Sequence, residues 1–417
     1  MIYRIRSILE GFKKRSGYAI LLATFIGRIL SFIASLIALQ LIDNTELGYV
    51  IYAFTIISFV IPVSGLGLHQ GLIRYGALLK TDDEKNSLFI YVLKRGIQGS
   101  FILGILIILG SFILRSYILE SEFYLIIFSL LIPFSFLLEI IKVQLRLKHQ
   151  NKQYAIVEIT YTVILVIAVF LLSYFYKEIG YVIAIIITPL ITSILFFNKL
   201  NIKFNAYQKL SIIDISFWKY GFYSSLSNVA TQFLSAVDIL LIGYLLKEAE
   251  MVTIYKYISL IPLSLLFLPR VLLTTDFVAL TERVNDKNYI VNYIKNYLTL
   301  FSILSTFIAI CSLVLYRPLL LLFGMEFTTY SNTFIALVFG VLGVLMLRGL
   351  FGNLLSVIGK ASINYWIAIL AIFINVILNF YLIPKYGIFG AAITSAVLMW
   401  FTGIVSCVWF FFFYRKF

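Results

Sequence analysis

Apolar segments of about twenty residues recur along the whole chain, separated by short breaks that carry charged or turn-forming residues. Each segment is long enough to cross the hydrocarbon core of a bilayer as an α-helix. The breaks include Asp43-Asn44, Lys177-Glu178, Arg317-Pro318 and Pro384-Lys385. This pattern predicts an integral membrane protein with about twelve transmembrane helices.

The predicted spans form two sets of six, on either side of a polar connection near the middle of the chain. The first set covers residues 18–42, 47–69, 88–112, 123–145, 154–176 and 180–198. The second set covers residues 219–245, 251–274, 290–315, 332–357, 364–383 and 388–413. We therefore predict an all-α protein with an amino-terminal six-helix lobe (1–200), a cytoplasmic linker (201–218) and a carboxy-terminal six-helix lobe (219–417).

The composition excludes a soluble protein. Hydrophobic residues make up 62% of the chain and charged residues 12%, whereas soluble domains are about half apolar and a quarter charged. A soluble fold would not have enough polar residues to cover its outside. The solvent of most of this chain is therefore lipid.

The net charge of +14 gives the orientation of the chain in the membrane. The basic residues are not grouped into a patch or motif, which argues against a nucleic-acid partner. With the amino terminus inside, 22 of the 33 Lys and Arg residues lie in inner segments, 5 in outer connections and 6 within spans or at their ends. Because cytoplasmic loops carry the excess of Lys and Arg, both termini are predicted to be cytoplasmic.

The chain has no pattern typical of an enzyme, a metal site or a cofactor site. Cys311 and Cys407 both lie in apolar segments, and His69 and His149 are far apart in sequence. The outer connections are short, and no paired carboxylates or nucleophile–base set is visible. Any function must therefore be carried out by the helical bundle itself.

The first span of each predicted lobe carries one polar stripe, and the two stripes have the same spacing. Residues spaced i, i+4, i+7 and i+11 share one face of a helix. The stripes lie 200 residues apart: Thr24, Arg28, Ser31 and Ser35 in span one, and Ser224, Asn228, Thr231 and Ser235 in span seven. In lipid such a face turns to protein or water, although Ser and Thr also mediate helix packing.

The last spans of the two lobes also begin alike, at Gly180 and Gly387. We therefore predict two parallel repeats, which form six-helix bundles related by a pseudo-two-fold axis along the membrane normal. Transporters built in this way place the substrate site between the two halves and alternate access by rocking them.

Three arginines lie within predicted spans, where a central Arg costs about 2.5 to 3.5 kcal/mol on insertion scales. Arg28 lies near the middle of span one, Arg348 lies deep in span ten, and Arg270 follows Pro269 in the inner half of span eight. A guanidinium group binds phosphate oxygens in a bidentate manner, so these residues predict a cationic cavity for an anionic ligand. The alternatives are snorkelling to the inner surface, above all for Arg270, and an internal pair of Arg28 with Asp238.

Asp238 extends the stripe of span seven by one further step and lies deep in that span. We predict it to be the carboxylate that couples transport to a Na+ or H+ gradient; the alternative is a structural counter-ion to an arginine. Asn375 and Asn379 are one turn apart in span eleven and predict another polar face. Glu139 and Lys142 are spaced to pair across one turn of span four.

Several stretches resemble the Wzx-type polysaccharide flippases. The segments NTELGY (44–49), SGLGL (64–68) and RY (74–75) look like the opening helical pair of that family. The segment NVILNFYLIPKYGIFGAA (375–392) looks like its eleventh-to-twelfth helix signature. This family is the polysaccharide-transporter branch of the multidrug/oligosaccharidyl-lipid/polysaccharide exporter superfamily, and the layout of six plus six helices also matches.

The resemblance implies a MATE-like exporter fold in the bacterial cytoplasmic (inner) membrane. It also implies that an undecaprenyl-pyrophosphate-linked oligosaccharide, an O-antigen or capsule repeat unit, is flipped from the inner to the outer leaflet. Membrane lipid and other polysaccharide assembly proteins are the implied partners. Arg28 matches the general placement of cavity arginines in such flippases, whereas Arg270 and Arg348 match it only loosely. The residues predicted to line the diphosphate-binding cavity are Arg28, Arg270, Arg348, Thr24, Ser31, Asn228 and Thr231, with Asp238 for ion coupling.

Two other functions remain open from the sequence. One is export of drugs or other small molecules by a member of the same superfamily, although a cationic cavity disfavours cationic drugs. The other is a membrane polysaccharide polymerase or ligase, but those enzymes generally carry a sizeable outer loop, and the outer connections here are short.

The Lys and Arg distribution makes a testable prediction about topology. A reporter fused at Phe417 should show cytoplasmic activity, and one inserted between Lys247 and Met251 should show periplasmic activity. The reverse pattern would overturn the predicted orientation.

Overall fold

The structure is a computed structural model that describes residues 17–113, 120–202, 204, 210–270, 273, 276, 280, 283–358 and 360–415. Within helices, the side chains of residues 17–21, 227, 230–235 and 361 lie outside this description. The helices of the first half are α1 (Gly17–Leu41), α2 (Asn44–Val60), α3 (Leu68–Gly76), α4 (Asp82–Ile113), α5 (Glu122–Phe128), α6 (Leu131–Leu147) and α7 (Asn151–Phe197). Those of the second half are α8 (Ile215–Leu246), α9 (Ala249–Ser264), α10 (Lys287–Leu321), α11 (Ser331–Gly343), α12 (Gly349–Val357), α13 (Ala361–Tyr386) and α14 (Ile388–Tyr414).

The described helices supply the predicted twelve spans. Ten helical segments are long and apolar enough to cross a membrane. One of them, Asn151–Leu200, has 50 residues and is broken at Lys177, so that it supplies two spans. The remaining span is α8, of which Ala236–Leu246 forms a shorter apolar helix. The prediction of an all-α membrane protein is therefore confirmed.

The chain divides into two compact units, and the division falls inside a helix. The amino-terminal unit ends at Phe233 and the carboxy-terminal unit begins at Leu234, so α8 contributes residues to both. The core of the first unit includes the fully buried rings of Phe136 and Phe217. The core of the second includes Phe351 and Phe410, whose ring centroids are 5.7 Å apart.

The second span is interrupted between α2 and α3 by three residues in the left-handed region. The φ angles of Gly65, Leu66 and Gly67 are 60°, 55° and 74°. The ring of Phe136 occupies the space in which a Cβ on Gly65 would lie, 2.1 Å from the nearest ring atom. The Ser100 hydroxyl accepts a hydrogen bond of 2.8 Å from the Gly65 amide. Irregular backbone at membrane depth is tolerated where protein covers it, and here the packing of the amino-terminal unit does so.

The last hairpin of each half turns in the same backbone conformation. In the first half, Lys177 has φ 50° and ψ −128°. In the second half, Gly387 has φ 59° and ψ −141° at the junction of α13 and α14. Glycine adopts this region without strain, whereas a lysine does so only at a cost.

Three residues after each of these turns, a glycine packs against the preceding helix. A Cβ on Gly180 would lie 2.0 Å from the carbonyl oxygen of Leu172, and a Cβ on Gly390 would lie 2.4 Å from that of Leu382. In the structure Gly180 is therefore equivalent to Gly390, whereas the sequence pattern pairs Gly180 with Gly387. The hairpin is repeated in both halves, but the equivalent glycine of the second half lies three residues after Gly387. The equivalent position is marked by the contact with the preceding helix and not by the glycine at the turn.

These contacts predict which glycines tolerate a methyl group. Gly180→Ala and Gly390→Ala should each lower the melting temperature of the detergent-purified protein, since overpacking costs about 1–3 kcal/mol. Gly110→Ala in α4 is the matched control, because among the described residues no neighbouring atom lies within 4 Å of a Cβ at that position. Equal melting temperatures for all three variants would contradict the close backbone approach.

Candidate functional site

A buried carboxylate forms the centre of a polar cluster in the carboxy-terminal unit. The side chain of Asp238 in α8 is only 7% exposed. Its Oδ1 accepts hydrogen bonds from the Nδ2 atoms of Asn375 at 3.1 Å and Asn379 at 2.8 Å, both in α13. Its Oδ2 accepts from the Tyr255 hydroxyl in α9 at 2.8 Å and from the Ser395 hydroxyl in α14. Four helices thus converge on one carboxylate.

The cluster also contains a polar atom that has no partner among the described residues. Asn379 donates to Asn375 Oδ1 at 2.8 Å, but its own Oδ1 is buried and accepts no hydrogen bond. Leaving a buried acceptor unsatisfied costs about 1–3 kcal/mol. An acceptor beside an acidic group is a typical ligand for a cation, because both oxygens attract positive charge.

The oxygen atoms of this cluster are suitable ligands for a hard cation. The cluster offers one carboxylate, two amide oxygens and two hydroxyl oxygens, which are ligands for hard ions rather than for soft transition metals. Among the described residues no group of three or more His, Cys, Asp and Glu side chains could hold a metal ion. The hydrogen-bond partners of Asp238 among the described residues are all neutral, so in the carboxy-terminal unit Asp238 is not the counter-ion of Arg348.

Arg348 has its own set of partners in the same unit. It ends a π-helical turn, Val344–Arg348, between α11 and α12, and its side chain is half-buried. Its Nη1 donates to Asn364 Oδ1 at 3.0 Å in α13 and to the Ser406 hydroxyl in α14. Asn364 is held in turn by donating to the Gly352 carbonyl oxygen at 2.7 Å. The structure therefore places Arg348 in a network of neutral acceptors that positions its guanidinium group.

The first helix packs through small residues. A Cβ on Gly27 would lie 3.4 Å from Thr162 Cγ2 of α7, which marks the side of α1 that contacts α7. Small side chains on a helix face allow close packing in membranes. The small residues buried on this side of α1 are Ala23, Gly27, Ala34 and Ala38.

Arg28 lies on a different side of α1 from the large exposed apolar residues. At 3.6 residues per turn, the polar stripe of Thr24, Arg28 and Ser31 is centred roughly 140° around the helix axis from those residues. Thr24 and Arg28 are exposed and Ser31 is half-buried. The exposed large apolar residues of α1 are Leu22, Phe25, Ile29 and Ile33. The helix therefore separates a polar face from the apolar surface suited to lipid.

The other predicted cavity residues are not brought into a described cluster. Asn228 in α8 is exposed, and the side chain of Thr231 lies outside the described residues. Arg270 is exposed and directly follows the buried Pro269. Their predicted roles stay predictions.

The predicted ion pair of Glu139 and Lys142 is confirmed, and a second carboxylate, that of Glu158, joins it. Lys142 Nζ lies 2.5 Å from Glu139 and 3.1 Å from Glu158 of α7. Sequence spacing identifies the partner on the same helix, but it could not identify the partner on the next one. The same limit explains why Tyr255 and Ser395 were missed as partners of Asp238.

Comparison with known proteins identifies relatives in polysaccharide biosynthesis. A family model described as "Polysaccharide biosynthesis protein" matches residues 37–332. The chain is also 34% identical over 116 residues to the capsular polysaccharide biosynthesis protein CapF of Staphylococcus aureus. That match covers 26% of this chain and 28% of CapF, so it spans little more than a quarter of the relative.

Solved transporters share the fold over nearly the whole chain. The lipid II flippase MurJ, in its inward closed conformation, has a TM-score of 0.71 at 22% identity, covering 95% of this chain and 87% of MurJ. An inward-facing multidrug resistance MATE family transporter has a TM-score of 0.67 at 14% identity, covering 93% of this chain and 95% of that transporter. The predicted MATE-like exporter fold is therefore confirmed.

Proposed function

We propose a transport function for this chain, which belongs to the polysaccharide biosynthesis protein family. The proposed substrate is an undecaprenyl-pyrophosphate-linked oligosaccharide. The protein would move it by alternating access from the inner to the outer leaflet of a bacterial cytoplasmic membrane, with both termini in the cytoplasm. The family match, the capsular relative and the fold shared with a lipid II flippase support this proposal.

The observation that carries the substrate class is the position of Arg28. Its exposed side chain shares a helix face with Thr24, away from the apolar surface of α1. An arginine on that face costs free energy unless it meets water, protein or an anion. A diphosphate linkage is one such anion, and its phosphate oxygens match the planar guanidinium fork.

A site that releases its ligand must also bind it only moderately. A diphosphate that leaves water needs fixed positive charge nearby to offset its desolvation. Up to three arginines in a water-filled cavity provide that charge without enclosing the ligand. Arg348 and Arg270 are the proposed additional cations, and Ser31, Asn228 and Thr231 the proposed hydrogen-bonding residues.

Export of a cationic drug is the less favoured alternative, although a multidrug transporter shares the fold. A positively charged cavity repels cationic compounds, whereas it attracts a diphosphate. The family match to polysaccharide biosynthesis also favours the lipid-linked sugar.

We further propose that Asp238 binds the coupling cation, and that Na+ fits the cluster better than H+. The unpartnered Asn379 Oδ1 beside the Asp238 carboxylate supports this choice. An amide oxygen can coordinate Na+, but it does not take up a proton near neutral pH. On cation binding, the amide and hydroxyl groups that donate to Asp238 would rotate so that their oxygen atoms face the ion.

The substrate proposal predicts the behaviour of Arg28 variants. In proteoliposomes with a defined lipid-linked oligosaccharide, Arg28→Ala should abolish flipping, and Arg28→Lys should keep part of it, because the charge remains but the bidentate fork is lost. Arg95→Ala is the matched control, since Arg95 is another exposed arginine of the same unit, in α4.

Protein abundance in the vesicles is measured beside flipping. Normal flipping by Arg28→Ala at normal abundance would exclude Arg28 as a diphosphate ligand. A substrate with a monophosphate linkage should be flipped more slowly by the unmodified protein. Equal rates for the two linkages would count against diphosphate recognition.

The coupling proposal predicts a sodium-dependent stability. At a Na+ concentration ten times its Kd, binding should stabilise the folded protein by about 1.4 kcal/mol, which raises the melting temperature by about 1–2 °C relative to choline chloride. Asp238→Asn should remove this difference, whereas Asp82→Asn, at an exposed position in α4, should keep it.

A sodium shift of equal size in Asp238→Asn would show that the ion binds elsewhere. If Na+ has no effect on the unmodified protein, but a pH gradient alone drives flipping, then H+ is the coupling ion.

A further inference from the structure

A polar pocket lies in the amino-terminal unit, at the ends of α6 and α7. Its volume is about 560 Å³, which is within the usual range of ligand pockets. The turn between α6 and α7 forms one wall, and the segment after α7 forms the other. The lining side chains include Gln150, Asn151, Lys152, Gln153, Lys199 and Asn201.

One hydrogen bond ties the two walls of this pocket together, and a second closes the turn that forms the first wall. Lys148 Nζ donates to the Leu200 carbonyl oxygen at 2.8 Å and so ties the turn to the segment after α7. The backbone N–H of Gln150 donates to the Leu145 carbonyl oxygen at 2.8 Å and so caps the end of α6. The pocket is therefore part of the packed structure and not a gap between separate loops.

The lining of the pocket is basic and rich in hydrogen-bond donors. Lys152 and Lys199 contribute ammonium groups, and none of the described side chains that line it is acidic. The Lys199 ammonium lies 4.5 Å from the centre of the Phe196 ring. Four amide side chains offer both donors and acceptors. This chemistry suits a phosphate group that carries hydroxyl groups.

Apolar residues lie one helical turn from each lysine, toward the membrane interior. Ile156 follows Lys152 by four residues in α7 and is 45% exposed. Leu195 precedes Lys199 by four residues and is 53% exposed. In the first turn of α7, residues four apart share a helix face, so Lys152 lies on the same face as the exposed Ile156. Lys199 lies in the 3-10 turn Asn198–Leu200 and packs over the Phe196 ring, which is next to the exposed Leu195 in sequence. A ligand that fills the pocket would place an attached hydrocarbon chain on this surface.

We propose that this pocket binds the phosphate headgroup of an anionic glycerophospholipid, with its acyl chains along Ile156 and Leu195. The Lys and Arg distribution assigns the pocket to the cytoplasmic leaflet, where basic pockets between helices bind anionic lipids. The combination of a basic polar pocket and an apolar surface below it distinguishes a lipid from a free phosphate ion. The pocket shares no residue with the proposed diphosphate and cation sites.

The test uses the purified full-length protein in lipid nanodiscs of phosphatidylcholine, with and without phosphatidylglycerol. Phosphatidylglycerol should raise the melting temperature of the unmodified protein, and native mass spectrometry should detect it bound. Lys152→Gln with Lys199→Gln should weaken lipid binding on the order of tenfold, because each lysine near anionic lipid contributes several-fold. Both lysines are exposed, so the variant should melt normally in phosphatidylcholine.

Lys80→Gln with Lys287→Gln is the matched control. It removes the same charge from exposed positions in segments predicted to face the cytoplasm and outside the pocket, and it should bind phosphatidylglycerol normally. If the control variant loses phosphatidylglycerol binding to the same extent, the loss reflects general surface charge, and the proposed site is wrong. Unchanged binding by the pocket variant would also overturn it.

Inorganic phosphate forms the third arm of the test. It should not stabilise the protein as phosphatidylglycerol does, because it cannot use the apolar surface. Equal stabilisation by phosphate that is lost in the Lys152→Gln, Lys199→Gln variant would overturn the lipid assignment. Flipping of the lipid-linked oligosaccharide is measured separately, so a failure of this proposal is distinguishable from a failure of the transport proposal.

Discussion

The hydrocarbon core contains no water, and this constraint governs the whole structure. Every polar group at membrane depth must find its partner within the protein or in a water-filled cavity. The broken second span satisfies it with the Ser100 hydroxyl and tight packing around Gly65. Asp238 satisfies it with four donors from three neighbouring helices. The unpartnered oxygen of Asn379 is informative for the same reason, because an unsatisfied acceptor is costly there.

Periodicity and charge predict the spans well because each depends on residues close together in sequence. The break at Lys177 and the pair of Glu139 with Lys142 are both visible from local spacing. Contacts between helices are not. Nothing in the sequence around Tyr255 or Ser395 indicates that their hydroxyls meet Asp238, since that depends on how four helices pack.

The arginines show a second limit of sequence reasoning. A charged residue within an apolar segment indicates a special environment, and Arg28 and Arg348 both stood out for that reason. The sequence could not tell that Arg348 contacts Asn364 and Ser406, whereas Arg28 lies on an exposed polar face. The left-handed conformation of Leu66 was equally hidden, because leucine itself has no preference for it.

The repeated hairpins show how the two halves have diverged in length. Gly390 lies 210 residues after Gly180, and the two make the same backbone contact. The polar stripes of the first and seventh spans are offset by 200 residues. A tandem duplication of a six-helix ancestor would account for both offsets if the second copy gained ten residues between its first and last spans. Both hairpins make the tight crossing, although one turns on a lysine and the other on a glycine.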